Sequence, residues 1–388
     1  MKNINKVDEI SSHPLGVGGF KYFIIAGERS GDLHGSNLIK AIKKADNNAQ
    51  IKAWGGDYMQ EAGAEITKHY SELAFMGFWE VIKNLPKILG LINECKKNIT
   101  EFKPDAIILI DYAGFNMRIA NWAKRERYKV FYYISPKVWA WNQKRAWKLK
   151  KNLERLFVIF PFEVEFFKKY DFEVEFVGNP LFDAIADFKK NPDFLTENNL
   201  PKKEIIALLP GSRKQEVEKM LTLMVETQKQ FVDYQFVIAG VSNLPKEFYE
   251  KFTSPNISLV IDQTYDLLSN SKAALITSGT ATLETALFNV PQVVCYKSSV
   301  LSYKIAKFVI KVPYISLVNL VAQKEVVKEL IQDELNVESL TKELKAILSE
   351  TGKRNAQMDD YQLIKDSLGS IGASQKTGSR IVEILKSN

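Results

Sequence analysis

Short, largely apolar runs alternate along the first half of the chain with stretches in which apolar side chains recur three or four residues apart. The runs occupy residues 22–26, 106–110, 130–134, 156–160 and 174–177. A continuous apolar run of this length is typical of a strand buried on both faces, and the longer period is typical of an amphipathic helix. The alternation therefore predicts a parallel sheet of about five strands that is covered by helices.

The same alternation resumes after a polar, proline-containing stretch. In the second half the runs occupy residues 204–209, 235–239, 257–261, 273–276 and 292–296, which predicts a second sheet of the same kind. Such folds bind ligands in a crevice at the carboxyl ends of their strands, and two facing domains make that crevice a cleft. The predicted fold class is α/β, with two Rossmann-like domains that face a central cleft.

This pattern divides the chain into segments. We expect a loose N-terminal leader over residues 1–20, a first Rossmann-like domain over 21–185 and a second over 186–350. The remaining residues, 351–388, are expected to form helices that pack back on the first domain or on a partner. Because 388 residues are too many for one ordinary core, the length also favours two domains.

Composition and charge exclude several classes of protein. With 46% hydrophobic and 26% charged residues, the chain is typical of a soluble globular protein rather than a disordered one. Cys95 and Cys295 cannot supply a disulfide framework or a zinc spacing, and three histidines leave little material for a metal site. A net charge of +7 does not by itself indicate nucleic acid, although it suits phosphorylated substrates or an anionic membrane surface. The most apolar long window, residues 305–321, is interrupted by lysines and a proline, so membrane contact would be peripheral.

The run at 273–276 leads into a candidate phosphate site. Ser278, Gly279 and Thr280 form a small polar turn, and helical spacing begins at Thr282. A helix that starts directly after a strand offers unpaired backbone N–H groups and the positive end of its dipole to an anion. One turn into this helix, Glu284 could accept hydrogen bonds from ribose hydroxyl groups. A capped helix with nothing bound is an equally good interpretation of this stretch alone.

A second anion site is predicted after the run at 204–209. Gly211 and Ser212 form a turn there, and Arg213 stands at the start of the next helical stretch. A guanidinium group at that position can bind phosphate oxygens through two parallel hydrogen bonds.

Two carboxylates follow strands of the first sheet. Glu28 lies just after the first strand, and Asp111 lies at the end of the run at 106–110. Both are therefore expected at the mouth of the crevice, where Asp111 could act as a general base on a hydroxyl group. The alternatives are that Glu28 and Asp32 only cap the first helix and that Asp111 caps the helix after its own strand.

Two aromatic segments complete the set of candidates. The first, residues 73–92, is apolar and edged by lysines, so it could lie in a membrane interface or receive acyl chains, or it could be an ordinary helix packed on a sheet. Its candidate residues are Met76, Phe78 and Trp79. The second, residues 135–145, could line a sugar or phosphate subsite through Ser135, Trp139, Trp141 and Arg145.

In this order and at these intervals, the motifs resemble the lipid-A-disaccharide synthase family from about residue 22 to about residue 335. Each motif is weak alone, but together they are specific. They are AGERSGD at 26–32, MGF and EV within 76–81, ID and FN within 110–116, SP and VWAW within 135–141, LPGSR at 209–213, SGTATLE at 278–284, and VPYISL with Asn319 within 312–319.

The resemblance implies a glycosyltransferase fold of the GT-B type and a specific reaction. An acylated glucosamine passes with inversion from UDP-2,3-diacylglucosamine to the 6-hydroxyl of 2,3-diacylglucosamine 1-phosphate, which yields the lipid A disaccharide 1-phosphate and UDP. The first domain would present the acceptor on the membrane side, and the second would bind the UDP-sugar. The resemblance also implies a peripheral protein on the cytoplasmic face of the inner membrane, with no cofactor, no nucleic acid and possible homo-oligomers.

Roles for individual residues follow from matching positions. Asp111 corresponds to the proposed general base and Glu28 to a second carboxylate in the cleft. The donor side would comprise Gly211, Ser212, Arg213, Ser278, Gly279, Thr280, Thr282, Glu284 and Asn319. No metal is expected, because UDP is a stable leaving anion that N–H donors and Arg213 could bind, and no D-x-D motif is placed to hold a metal.

The chain departs from the family pattern at three places. Gly114 stands where many relatives have a second acid, Asn179 stands where histidine is common, and residues 322–324 differ from the usual phosphate turn. Two other functions share the architecture. One is an epimerase-like isomerase acting on UDP-N-acetylglucosamine, which would lack the acyl surface of 73–92, and the other is a non-catalytic nucleotide-sugar-binding protein.

Overall fold

Two parallel sheets organise the protein. The computed structural model describes residues 18–73, 85–299, 303–304, 307–308, 310–349 and 352–387. Within them, the first sheet has seven strands in the order β3-β2-β1-β4-β5-β6-β7, and all its neighbouring strands pair in parallel. Its strands are β1 (Lys21–Ala26), β2 (Gln50–Gly55), β3 (Glu65–His69), β4 (Ala106–Ile110), β5 (Lys129–Tyr133), β6 (Arg155–Val158) and β7 (Glu175–Phe176).

The second sheet, in the same part of the chain, has six parallel strands in the order β10-β9-β8-β11-β12-β13. Its central strands are entirely buried, as expected for a sheet with helices on both faces. The strands are β8 (Ile205–Leu209), β9 (Gln235–Gly240), β10 (Ile257–Ile261), β11 (Ser271–Thr277), β12 (Gln292–Tyr296) and β13 (Glu329–Ile331).

Helices connect nearly all of these strands. Those between strands of the first sheet, or directly after it, are α1 (Arg29–Ala45), α2 (Asp57–Glu61), α3 (Leu85–Phe102), α4 (Ala113–Arg125), α5 (Arg145–Asn152), α6 (Pro161–Lys168), α7 (Leu181–Ala186) and α8 (Phe194–Glu197). Those of the second half are α9 (Lys214–Thr227), α10 (Lys246–Glu250), α11 (Thr264–Ser269), α12 (Thr280–Leu287), α13 (Leu317–Ala322), α14 (Val337–Leu348), α15 (Lys353–Leu368) and α16 (Ala373–Lys386). Among the described residues, no helix is both long and apolar enough to cross a bilayer.

The expectation of about five strands in the first sheet was wrong, because the sequence pattern missed β2 and β3. The outermost strand, β3, is only half-buried, so it needs no continuous apolar run. The sequence of β2, QIKAWG, mixes polar and apolar residues, and its first residue is exposed. In the second sheet, the short edge strand β13 was missed as well.

Each strand order reverses direction once, and this reversal places a crevice. In the first sheet the reversal lies between β1 and β4, where Ala26 pairs with Ile110. In the second it lies between β8 and β11, where Leu209 pairs with Ile276. Adjacent helices leave opposite faces at such a point, so the ends of the strands stay open to a ligand.

The last helix returns to the first sheet. Helix α16 packs along α1, whereas α15 contacts α13 and α14 of the second half. A Cβ on Gly378 of α16 would lie 2.8 Å from the Ala41 Cβ, so this close approach requires glycine. Asp183 accepts hydrogen bonds from the N–H groups of Gly372 (2.6 Å) and Ser374 (2.9 Å), which anchors the start of α16.

Asp32 stabilises a neighbouring helix rather than its own. Its buried carboxylate accepts hydrogen bonds from the backbone N–H groups of Gly56 (2.7 Å), Tyr58 and Met59 (both 3.1 Å), at the start of α2. Glu28 occupies the position before α1 but makes no capping hydrogen bond with its side chain. The interpretation of both acids as caps of α1 is therefore wrong.

Candidate active site

The two carboxylates of the first domain lie at the same edge of the sheet. Glu28 follows β1 and Asp111 follows β4, and these strands are neighbours. Gly27, which precedes Glu28, is required by packing, because a Cβ there would lie 2.3 Å from the ring of Tyr112. The strand order thus brings together two acids that are 83 positions apart in sequence.

Asp111 sits on a strained turn. Asp111 and Tyr112 both have positive φ, 42° and 46°, which residues other than glycine rarely adopt. The carbonyl of Asp111 accepts hydrogen bonds from the Asn116 amide (2.9 Å) and the Tyr132 hydroxyl, and the same amide also reaches the Ile110 carbonyl (3.1 Å). Asn116 and Tyr132 therefore hold the turn, a role that the sequence did not indicate for either residue.

Charges around the cleft act on both acids. Burial raises the pKa of Asp111 above its ordinary value, while the positive charge of Lys137 and a hydrogen bond from the Tyr112 N–H lower it in part. Partial loss of hydration and the nearby Asp111 raise the pKa of Glu28, whereas Arg213 and Lys137 lower it. Because Arg213 belongs to the second half of the chain, the two crevices face each other closely enough for their charges to interact.

Side chains from both domains line one cavity at this point. Asp111 and Lys137 come from the first domain, and Thr280, Leu283 and Leu317 come from the second. Lys137 lies four residues past β5, the neighbour of β4, so knowledge of the strand order would have identified it. The cavity also includes Ser30, His34, Ser135, Trp139 and Asn179.

His34 is a buried imidazole in this cavity that the sequence did not single out. Burial lowers the pKa of His34 to about 4, with a partial opposing effect of Asp183, so the ring is neutral at physiological pH. Its Nδ1 atom is buried and has no hydrogen-bond partner among the described residues. A neutral imidazole in this cavity adds no positive charge, whereas the Lys137 ammonium group acts on the Asp111 carboxylate.

Hydrogen bonds within the protein fix the turn after β11. The Ser278 hydroxyl donates to the Ile315 carbonyl (2.7 Å), and the Thr282 hydroxyl donates to the Gly279 carbonyl (2.8 Å). These bonds hold the turn and leave the exposed Thr280 at the first position of α12. The N–H groups of a first helical turn lack partners within the helix, so they are available to an anion.

The neighbouring turn after β8 also fits an anion. Gly211 has φ of 94°, a conformation that favours glycine, and it turns the chain toward Arg213. The Ser212 carbonyl accepts a hydrogen bond from Asn243 (2.9 Å), which fixes the turn. The Arg213 guanidinium is largely exposed and forms an ion pair with the half-buried Glu216 (3.2 Å), and an ion pair at the surface is weak enough for the guanidinium to reorient toward a ligand.

Glu284 is held by an aromatic cluster. The Tyr265 hydroxyl donates to one carboxylate oxygen at 2.8 Å, and the Tyr265 ring packs against Phe188 and Phe288. Burial raises the pKa of Glu284, and this hydrogen bond lowers it in part. The carboxylate is thereby oriented in the middle of α12, on the helix that follows the turn at 278–280.

Asn319, a candidate for the donor side, is bound by its own part of the chain. Its side chain is fully buried and its amide is saturated by the protein itself. The oxygen accepts from the N–H groups of Val326 (2.8 Å) and Val327 (2.9 Å), and the nitrogen donates to the Val327 carbonyl and to Glu329 (both 2.9 Å). Asn319 therefore shapes the loop between α13 and β13.

The aromatic residues after β5 divide into a buried wall and an exposed surface. Trp139 is buried, and its indole N–H donates to the buried Glu163 at 3.1 Å. The Ser135 hydroxyl donates to the Pro136 carbonyl (3.0 Å). Trp141 is 42% exposed and stacks with the Arg145 guanidinium at 4.5 Å. The remaining candidates for the lipid side, Met76, Phe78 and Trp79, lie outside the described residues.

The departures from the family pattern have structural correlates. Gly114 is exposed with open space around it, so no neighbouring side chain takes the place of the second acid. Asn179 is buried in the cavity wall, where its side-chain oxygen accepts from the Leu181 N–H (3.0 Å). Lys324 pairs with Asp360 of α15 at 2.6 Å. A search of the described residues finds no group of three metal-binding side chains.

Two Rossmann-like domains that face a central cleft, with Asp111 of one and Thr280 of the other lining a shared cavity, define a glycosyltransferase fold of the GT-B type. Solved structures share this fold. The glycosyltransferase of kitacinnamycin has a TM-score of 0.66 at 13% identity and covers 95% of this chain and 100% of its own. The UDP-GlcNAc 2-epimerase of Methanocaldococcus jannaschii, in complex with UDP-GlcNAc and UDP, has a TM-score of 0.63 at 16% identity with the same coverage. Likeness at this identity concerns the fold alone.

Sequence relatives are more specific. Residues 22–382 match the lipid-A-disaccharide synthetase family. The lipid-A-disaccharide synthase of Syntrophus aciditrophicus (strain SB) is 37% identical and covers 94% of this chain and 97% of its own length. That of Geobacter metallireducens is 36% identical with the same coverage. The chain belongs to the lipid-A-disaccharide synthetase family, so it is a glycosyltransferase of lipid A biosynthesis, and the resemblance drawn from its motifs is confirmed.

The buried amide of Asn319 yields a first prediction. Asn319→Ala should lower the free energy of unfolding by about 2–4 kcal/mol, because it leaves several buried backbone and side-chain groups without partners. Chemical denaturation measures this change. Asn336→Ala is the control, since Asn336 is exposed. Its side chain accepts a capping hydrogen bond from the Ser339 N–H and donates to the carbonyls of Asp333 and Glu334, and loss of this cap should cost about 1 kcal/mol. UDP affinity of the folded Asn319→Ala protein should be unchanged, and weaker UDP binding at full stability would restore the donor role.

Proposed function

We propose that the protein transfers 2,3-diacylglucosamine from UDP to the 6-hydroxyl of 2,3-diacylglucosamine 1-phosphate, with inversion, to give the lipid A disaccharide 1-phosphate and UDP. The observation that carries this proposal is the cavity in which Asp111 of one domain lies across from the Thr280 turn of the other. An inverting transfer needs a base and a leaving-group site on opposite sides of the anomeric carbon, and this arrangement supplies both.

The proposed chemistry assigns one task to each side of the cleft. Asp111 accepts the proton of the 6-hydroxyl while that oxygen forms a bond to the anomeric carbon. The bond between the anomeric carbon and the phosphate oxygen breaks at the same time, and its electrons leave with UDP. N–H groups at the start of α12 and the Arg213 guanidinium stabilise the charge that develops on the diphosphate. Glu284 accepts hydrogen bonds from the ribose hydroxyl groups.

Loss of the base should abolish turnover without loss of the nucleotide. Asp111→Asn keeps the size of the side chain and tolerates positive φ, but it cannot accept the proton, so kcat should fall about 10²–10⁴-fold. UDP affinity should be unchanged. Asp171→Asn is a matched control, because Asp171 also has positive φ (48°) but is exposed and outside the cavity. Near-normal turnover of Asp111→Asn would exclude Asp111 as the base.

The charge of Lys137 should appear in the pH profile. Asp111 must be ionised to act, so kcat/KM falls as pH drops through its pKa, which burial raises above the ordinary aspartate value. Lys137 opposes that rise, so Lys137→Met should move the acidic limb of the profile to higher pH. Lys137→Arg keeps the charge and should leave the limb in place. A limb that stays fixed or moves to lower pH in Lys137→Met would contradict this electrostatic role.

The proposed ribose contact can be tested by calorimetry. Glu284→Gln removes a charged acceptor, and loss of such hydrogen bonds costs about 1.5–3 kcal/mol, so UDP affinity should fall about 10- to 100-fold. Tyr265→Phe keeps the carboxylate and removes only the hydroxyl that orients it, so its effect should be smaller. Equal UDP affinity in Glu284→Gln and the unaltered protein would show that the ribose is bound elsewhere.

We further propose that the enzyme acts at the cytoplasmic face of the inner membrane as a peripheral protein, since both substrates are lipids. The sequence around Met76, Phe78 and Trp79 supports this location, and the net charge of +7 favours an anionic surface. The later apolar residues of segment 73–92, Ile88, Leu91 and Ile92, are instead buried in the core of the first domain. Replacing Met76, Phe78 and Trp79 by serine should reduce flotation with anionic liposomes, while UDP affinity is retained. Undiminished flotation would mean that another surface contacts the lipid.

A further inference from the structure

An apolar groove of about 600 Å³ lies between the two domains, next to the cavity that contains Asp111. This volume is within the range of roughly 300–1,000 Å³ that is usual for small-molecule sites. Trp139, Phe162 and Phe166 form the wall from the first domain. The wall from the second domain consists of Val312, Pro313, Tyr314 and Leu320. Among the described residues, the charged or polar side chains that line the groove are those of Glu165, Lys169 and Gln323.

The groove and the Asp111 cavity share a partition. Trp139 lines both spaces. On the opposite side, α13 contributes Leu317 to the cavity and Leu320, three positions later, to the groove. Residues three apart lie on one side of a helix, so the two spaces follow each other along α13. The cavity measures about 60 Å³, so part of a polar head would enter it from the cleft while an apolar tail of the same molecule lies in the groove.

Trp139, which separates the two spaces, is held in place by several contacts. The Trp139 indole is fixed by its bond to Glu163 and by edge-on packing with Phe162 at 5.0 Å. Glu163 also accepts from the N–H groups of Ile159 (3.1 Å) and Phe160 (3.0 Å), so it cannot turn away freely. Across the groove, the Lys311 N–H donates to the Ala140 carbonyl at 2.8 Å. This hydrogen bond holds Lys311, the residue before Val312, against the first domain.

We propose that this groove binds one saturated acyl chain of a diacylated sugar substrate whose sugar ring lies at Asp111. The assignment rests on the proposed function, because that function supplies a ligand with a sugar head and acyl tails. An acyl chain matches the groove in its apolar character and in its continuity with the polar cavity. The chain could belong to the donor or to the acceptor, since both carry the same chemistry and the groove has walls from both domains.

The groove should act as a gauge of chain length. Each methylene moved from water into an apolar site is worth about 0.8 kcal/mol, which is about a fourfold change in affinity. Lengthening the bound chain should improve kcat/KM by up to that factor per methylene until the groove is full. Beyond that length the gain should stop, because further methylenes remain outside the walls.

The experiment measures kcat/KM against acyl length in mixed micelles of constant composition. In one arm the donor chains are varied with a fixed acceptor, and in the other arm the acceptor chains are varied with a fixed donor. The substrate whose length dependence is steep and then levels off is the one that occupies the groove. Leu320→Trp should fill part of the groove and move the preferred length of that substrate to shorter chains, with UDP affinity unchanged.

Leu363→Trp is the matched control, because Leu363 is 63% exposed on α15 and outside the groove. It should leave the length dependence unaltered. Val312→Trp fills the groove from a different element and provides a second variant if Leu320→Trp does not fold. The proposal is supported if either groove variant prefers shorter acyl chains than the unaltered protein does and the control variant does not.

Two negative results have different meanings. If the unaltered protein transfers sugar but Leu320→Trp and Val312→Trp keep its length preference for both substrates, the groove does not bind an acyl chain and the proposed function stands. If the unaltered protein transfers no acylated sugar of any length, the proposed function and this inference are both overturned.

Discussion

Parallel strands in one sheet all end at the same edge, and the candidate active site depends on this constraint twice. In the first sheet, the reversal of strand order between β1 and β4 brings Glu28 and Asp111 together at an open crevice. In the second, the reversal between β8 and β11 does the same for the turns that carry Arg213 and Thr280. Helix α16 packs on α1, so the chain returns from the second domain to the first. The two domains, and with them the two crevices, are therefore linked by the chain twice.

The carboxylate proposed as the base is held at a cost in backbone energy. Two consecutive residues with positive φ, Asp111 and Tyr112, cost about 1–3 kcal/mol each, and such strain persists only where the surroundings enforce it. Here the enforcement comes from the Asn116 amide and the Tyr132 hydroxyl, which both donate to the Asp111 carbonyl. The Asp111 carboxylate is therefore fixed at the mouth of the crevice. Burial raises its pKa, and the positive charge of Lys137 lowers it in part.

The same region separates polar chemistry from apolar binding. Glu163 is buried beneath the cleft and holds Trp139, and burial raises the pKa of Glu163 to about 7. Trp139 then stands between the cavity of Asp111 and the apolar groove. An enzyme that joins acylated sugars needs a polar and an apolar environment close enough together for one substrate to span both. The polar site limits the access of water to the reacting hydroxyl, and the apolar site keeps water away from the acyl chain.

The sequence by itself determined the fold class, the strands that form most of both sheets, and the candidate residues Glu28, Asp111 and Arg213, because these depend on local pattern and on strand ends. It missed the edge strands β3 and β13, which need no apolar run, and it placed Asn319 at the donor. Only the tertiary structure decided that Asn319 binds its own loop, that Trp139 is buried while Trp141 is exposed, and that Asn116 and Tyr132 hold Asp111. The physical reason is that burial and hydrogen-bond partners come from residues distant in sequence, which a local pattern does not contain.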